Sequence, residues 1–186
     1  MTDPEAATAP PVAARAGQRV GSGDPAYFEL HDFLIDEAAL LDDNRLEEWQ
    51  RLLARDLVYR IPVRRILYRD QGPAFDPVMT HLDDDHEAMT RRIRRLGSSS
   101  AWVEDPPSIM RRLVTNVRVT AVGPQAFEVE SCVLALRSHW TKSQFDLISM
   151  KRQDTLRRAR ETFEIARRTI YLDQSALETP NLPMLF

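Results

Sequence analysis

The chain has 186 residues, a formal net charge of −3 and a single cysteine, Cys132. That length suits one domain with a substantial core, and the charge supplies no global basic field of the kind nucleic-acid binding relies on. One cysteine excludes an intrachain disulfide, a C-x-x-C redox or zinc pair, and an iron–sulfur cluster held by four thiolates.

Residues 1–23 are rich in Ala, Pro, Gly and Thr and lack the charged start and apolar centre of a secretory signal, so they read as a flexible arm. Asp24-Pro25 opens a helix, with Asp as N-cap and Pro at the first helical position, and Tyr27, Leu30, Leu34, Ala38 and Leu41 follow at helical spacing. Asn44 with Glu47 has the form of a capping box for a second helix carrying Leu46, Trp49 and Leu53, which should pack on the first as a hairpin. Leu57, Tyr59, Ile61 and Val63 alternate as in a strand, and Pro62 places that strand near an edge or an end. A loop through Gly72-Pro73 and Asp76-Pro77 then leads to a third helix, roughly Asp84 to Leu96. Its acids come first and Arg91, Arg92, Arg94 and Arg95 come last, as the helix dipole favours, and Gly97 stops it.

The stretch Trp102-Val103-Glu104-Asp105-Pro106-Pro107-Ser108 cannot be helical, because two prolines fix φ and remove two donors; the chain must bend there. From Arg112 the period becomes two. Leu113, Thr115, Val117, Val119 and Ala121 fall on one face of a strand that ends at Gly123-Pro124, and Phe127, Val129, Ser131, Val133 and Ala135 continue on its hairpin partner. A third strand runs from Phe145, Leu147 and Ile148 through Met150 towards Leu156. After a turn at Ala159-Arg160-Glu161, Phe163 and Ile165 are out of phase with Ile170 and Leu172, which predicts a bulge between them. Helices first and a meandering antiparallel sheet afterwards is an α+β pattern, a single domain over 24–172 in which helices cover the concave face of a strongly bent sheet, forming a cone. In the tail, 173–186, Pro180 and Pro183 prevent helix, yet Leu182, Met184, Leu185 and Phe186 are too apolar for water, so the tail is expected to dock at a subunit interface.

Catalytic signals are sparse. His81 and His86 with the intervening Asp83, Asp84 and Asp85 superficially resemble a two-histidine, one-carboxylate iron site, but Asp residues entering a helix are expected as caps and first-turn charges. His31 or His139 could act as a base beside Asp32 or Asp36, although a lone histidine near an apolar face is usually a hydrogen-bonded structural residue. No Walker loop, G-x-G-x-x-G or H-E-x-x-H occurs. Lysine appears only twice, at Lys142 and Lys151, so nearly all the cationic charge is arginine, the residue suited to bidentate pairing across interfaces. No run approaches the ~20 apolar residues of a membrane span. A soluble protein of the reducing cytoplasm is expected.

Trp102 to Ser108, followed by Arg112 and Val114-Thr115-Asn116-Val117, resembles the signature of the small, or β, subunits of aromatic-ring-hydroxylating dioxygenases. The likeness extends to Phe28 to Tyr59 with Glu37 to Asp42 and Trp49, to Asp154 with Leu156-Arg157-Arg158, and to Ala166 to Gln174 with Asn181 to Phe186. It implies a fold like nuclear transport factor 2 and a non-catalytic subunit that trimerises and supports catalytic α subunits in an α3β3 hetero-hexamer. It implies no metal or cofactor in this chain, since the α subunit of such enzymes holds both the Rieske 2Fe-2S cluster and the mononuclear non-haem iron. The segment around His81 and His86 resembles the toluene and biphenyl branch, which implies NADH-dependent cis-dihydroxylation of an aromatic hydrocarbon. Trp102, Glu104, Asp105, Pro106, Pro107, Arg112, Leu182, Met184, Leu185 and Phe186 are the expected interface residues. The residues alone also allow a stand-alone cavity enzyme of isomerase, dehydratase or cyclase type using His31, Asp32 or His139, or a ligand-binding scaffold on the same fold.

Overall fold

The computed structural model describes residues 17–66, 74–96, 108–139, 143–175 and 185–186. The bend residues Trp102, Glu104, Asp105, Pro106 and Pro107, the tail residues Leu182 and Met184, and Gly97 lie outside the described residues. Helix α1 (Pro25–Asp42) starts as its sequence dictates: the Asp24 side chain accepts from the Ala26 N–H at 2.9 Å and Pro25 takes the first helical position. Asn44 does not open the second helix. It sits at φ 56°, with the Arg45 N–H on the Leu40 carbonyl (2.8 Å) and its own N–H on that of Leu41 (3.3 Å), so it closes α1 in a Schellman turn. Helix α2 (Leu46–Gln50) consequently begins at Arg45 with no side-chain cap, and Leu53 belongs to the following strand.

Seven strands among the described residues form one sheet: β1 (Gln18–Val20), β2 (Leu53–Arg64), β3 (Phe75–Asp85), β4 (Ile109–Gly123), β5 (Ala126–Ser138), β6 (Asp146–Ala159) and β7 (Thr162–Leu172). Their order is β1-β4-β5-β6-β7-β2-β3, with every pairing antiparallel except β2 beside β7. Residues 18–20, assigned from sequence to the arm, add to β4 as an edge strand. Strand β3 is also unforeseen, because Pro77 and three aspartates argue against a strand. They are tolerated since β3 is the opposite edge, where proline and charge are characteristic, and since Arg60 of β2 reaches Asp83 at 3.2 Å. Helix α3 (His86–Leu96) follows without a loop, its first turn capped by Asp85, which accepts from the Ala88 N–H at 2.8 Å. Pro62 lies near the C-terminal end of an inner strand, beyond Arg60, the last β2 residue with a β7 register partner.

Two bulges decide which residues face inward. On β4, Asn116 and Val117 together oppose Ser131, and Asn116 adopts φ 53°. Phase therefore reverses within the strand. Val119 is buried and Val117 and Ala121 pack on the core, as alternation predicts, but before the bulge the inward residues are Met110, Arg112 and Val114. Leu113, expected inside, is 52% exposed, and Thr115 is exposed with it. On β7 the expected bulge occurs: Thr155 pairs with Arg167 and Leu156 with Ile165, so Ala166 is the extra residue, and Phe163, Ile165, Arg168, Ile170 and Leu172 all point inward.

The concave face and α1 enclose the core. Phe163 packs edge-on against Phe33 and Phe127 with ring centroids 5.7 and 5.9 Å apart, and each such buried ring contributes about 1.5–3 kcal/mol through removal of apolar surface from water. The left-handed Asn116 is tolerated because asparagine visits that region readily, whereas a β-branched residue clashes there. Asn116→Val should therefore cost about 1–2 kcal/mol in urea unfolding, while Asn116→Gly should leave stability nearly unchanged.

Candidate functional site

The interior of the cone is polar at its centre. Glu37 occupies the buried face of α1 among Leu30, Phe33, Leu34, Ala38 and Leu41. Strand alternation brings Arg152 and Asp154 of β6 inward, and the β7 bulge brings Arg168 to meet them; all four side chains are at most 1% exposed. Arg168 uses all five N–H groups. Its Nη1 and Nη2 bind the two Glu37 oxygens, the second at 3.1 Å, its Nε and Nη2 bind Asp154 at 2.7 and 3.1 Å, and Nη1 also donates to the Phe186 main-chain oxygen at 3.0 Å. Arg152 Nη1 lies 3.1 Å from Glu37 Oε2 and its Nε 3.2 Å from Asp154 Oδ2, while Trp49 Nε1 donates to Glu37 Oε1 at 2.8 Å. The side-chain charges balance, two guanidiniums against two carboxylates, which is what makes buried charge tolerable.

The tail closes this cluster. Tyr59 Oη donates to the Phe186 main-chain oxygen at 2.6 Å and accepts from the Phe186 N–H at 3.0 Å, so Phe186 is fixed at both ends of its backbone. Arg112, turned inward before the β4 bulge, binds Asp42 through its backbone N–H and Nη1, and its Nη2 donates to the Leu185 carbonyl at 2.7 Å. Leu185 and Phe186 are 3% and 1% exposed. These three residues were expected at a subunit interface. Arg112, Leu185 and Phe186 instead serve the chain's own interior, because the cone offers the aromatic and apolar surface the tail needs.

Burial drives the Glu37 carboxyl upward, but the guanidiniums of Arg168 and Arg152, with hydrogen bonds from Arg168 and Trp49, outweigh it and hold the group at about 2. Burial would lower Arg168, yet Asp154 and Glu37 raise it well above its ordinary value. Burial pushes the Tyr59 phenol up to about 12. All three shifts run away from neutrality, so these groups hold their charge states and are unsuited to passing protons. The cluster is a lock rather than an acid–base site.

The histidines are elsewhere. His31 Nδ1 stands 3.6 Å from Asp32 Oδ1 on the outside of α1, with 40% and 78% of the side chains exposed, and His139 follows the end of β5, half-buried. His81 lies exposed on β3, not in a loop, and the neighbouring carboxylates are engaged by Arg60, Arg92 and the α3 amide of Ala88. Among the described residues no three His, Cys, Asp or Glu side chains gather as metal ligands. A Rieske cluster takes two thiolates and two imidazoles, and this chain has one cysteine, so its donor set does not fit that group.

The missed residues did leave a signal: an acid on the apolar face of α1, and arginines at inward positions of β6 and β7. Single-strand patterns could mark them as anomalies but could not pair them.

A bent sheet with helices in front, its interior occupied by ion pairs and by Leu185 and Phe186, defines the nuclear transport factor 2-like α+β class. Solved structures share this fold: naphthalene 1,2-dioxygenase superposes with TM-score 0.76 at 18% identity over 88% of each chain, and a scytalone dehydratase-like protein from Novosphingobium aromaticivorans with 0.59 at 15% identity over 80% of this chain and 85% of that one. The family described as "Ring hydroxylating beta subunit" matches residues 36–179. The chain is 38% identical over 166 residues to the benzene 1,2-dioxygenase subunit beta of Pseudomonas putida F1 (85% and 87% of the two chains) and 34% over 170 residues to the biphenyl 2,3-dioxygenase subunit beta of Rhodococcus jostii RHA1 (88% and 90%). It belongs to the ring-hydroxylating β-subunit family.

Removing one member of the lock leaves buried charge uncompensated. Glu37→Gln should lower unfolding free energy by about 3–5 kcal/mol, measured by denaturant titration. The folded Glu37 value of about 2 lies below the ordinary 4.5, so its stabilisation is complete above about pH 4.5 and is lost as pH falls towards 2. Acid unfolding of the wild type should steepen in that window, and the pH dependence across it should be shallower but not absent in Glu37→Gln, because Glu48, Asp56, Asp76 and Glu130 are also held below their ordinary values.

Proposed function

We propose that this chain is a non-catalytic β subunit that supports the catalytic α subunits of a multicomponent dioxygenase. The reading follows from the 38% identity to a benzene dioxygenase β subunit across 85% of the chain, and the buried pairing of Glu37 and Asp154 with Arg168, which holds Glu37 and Arg168 in their charged forms, supports the non-catalytic role. The assembly is an α3β3 hetero-hexamer in the cytoplasm, with the Rieske cluster and mononuclear iron in α. The substrate is an aromatic hydrocarbon of the benzene or biphenyl class, converted by NADH-dependent cis-dihydroxylation. Trp102, Glu104, Asp105, Pro106 and Pro107, with Leu182 and Met184, remain the proposed α- or β-facing residues.

The outer sheet face agrees with a chain made to be held. Ile109, Leu113 and Leu147 are at least half exposed there, and Leu134 and Leu136 stand between them as register partners of Leu113 and Leu147. These apolar side chains, set among Arg111, Ser138 and Ser149 on the same face, make it a candidate protein contact.

The chain co-expressed with the α subunit of its own dioxygenase should purify as one complex, and hydroxylation of benzene or biphenyl by α, with its electron-transfer proteins, should fall at least about tenfold when β is omitted. Stoichiometric iron in the isolated chain, or turnover without a partner, would refute the reading.

A further inference from the structure

The outer face of α1 carries Phe28, Asp32, Ile35, Asp36 and Ala39, spaced so that all share one side of the helix. Phe28 is 56% and Ile35 43% exposed, and no described element covers them. The groove beside them, about 480 Å³, is acidic: Glu29 is engaged by Arg158 and Glu37 by the buried arginines, but Asp36 and Glu161 form no salt bridge with a described residue, and Asp32 has only His31 at 3.6 Å. A larger groove of about 1210 Å³ runs between α2, the start of β2 and α3. There Arg45 is paired with Glu48, whereas Arg51, Arg55 and Arg94 are exposed and make no salt bridge with a described residue, the carboxylates lining the groove with them being Glu47 and Glu48.

We propose that copies of this chain bind one another by seating the α1 face of one copy, with Phe28 and Ile35 as apolar anchors and Asp32 and Asp36 as charges, in the Arg51/Arg55/Arg94 groove of the next. This rests on the reading of the chain as one of several β subunits in an assembly, and it names the surfaces. The occupant is a second copy because the chain itself presents both halves of a charge-complementary pair. Arginine forks can hold aspartates bidentately at a partly desolvated contact, and exposed aromatic and aliphatic side chains next to them match the composition of interface centres. Each copy offers both surfaces, so one kind of contact can close a ring.

Sedimentation velocity of the full-length chain tests this. The wild type should self-associate, less so at high salt. Arg51→Glu/Arg55→Glu and Asp32→Arg/Asp36→Arg should each weaken association by on the order of tenfold or more, with unchanged circular dichroism, and the quadruple variant carrying both swaps should restore it. A monomeric wild type, double variants that still associate, or a quadruple variant that stays apart would overturn the proposal. Release of the α subunit from the co-expressed complex while β copies remain together would do so too, assigning the groove to α. Capture of α and its turnover, measured on the same complex, report separately on the dioxygenase reading.

Discussion

Arg168 is the point through which the fold is tied together. Its guanidinium sits in the middle of the cone and spends every donor on α1, β6 and the tail, while Arg152 braces the same two carboxylates from β6. Burying such a charge is unfavourable unless each lone pair and each proton finds a partner, and here the requirement fixes the relative positions of four elements at once. An apolar cluster of equal volume would be as stable or more so, but hydrophobic packing is non-directional. Five fixed hydrogen-bond vectors admit one arrangement of helix, strands and tail, which fits a subunit whose surface must present a constant shape to neighbours.

The two bulges are what make this centre possible. On β7 the extra Ala166 restores phase so that Arg168 points inward along with Phe163 and Ile165. On β4 the turn at Asn116 carries Arg112 into the interior, where it reaches Asp42 and Leu185, and by the same rotation turns Leu113 to the outside. One backbone irregularity therefore serves the internal clamp on the tail and the apolar outer surface together.

The fold class hosts open-cavity enzymes as well as scaffolds, so architecture alone does not assign chemistry. What separates the cases is the content of the cone. A reaction chamber needs space, water control and a group able to change protonation near neutrality. Glu37, Tyr59 and Arg168 are each displaced away from neutrality, and Phe186 sits against Tyr59 and Arg168 in the interior.

Much of the architecture is legible in the residues themselves. Asp24-Pro25 specifies the start of α1, the alternation of β5 from Phe127 to Ala135 holds residue by residue, and the phase break in β7 announces its bulge. These features are local, set by φ restriction, side-chain period and caps. Strand β3 and the destination of Arg112 and the tail were decided only on folding, because each depends on a partner distant in sequence: Arg60 for Asp83, Asp42 for Arg112, Tyr59 and Arg168 for Phe186. The sequence by itself determined where α1, β5 and the bulged β7 form and that several polar residues occupy apolar positions. The tertiary structure decided how those polar residues pair, since complementary charge can be recognised only when the strands that carry it are brought side by side.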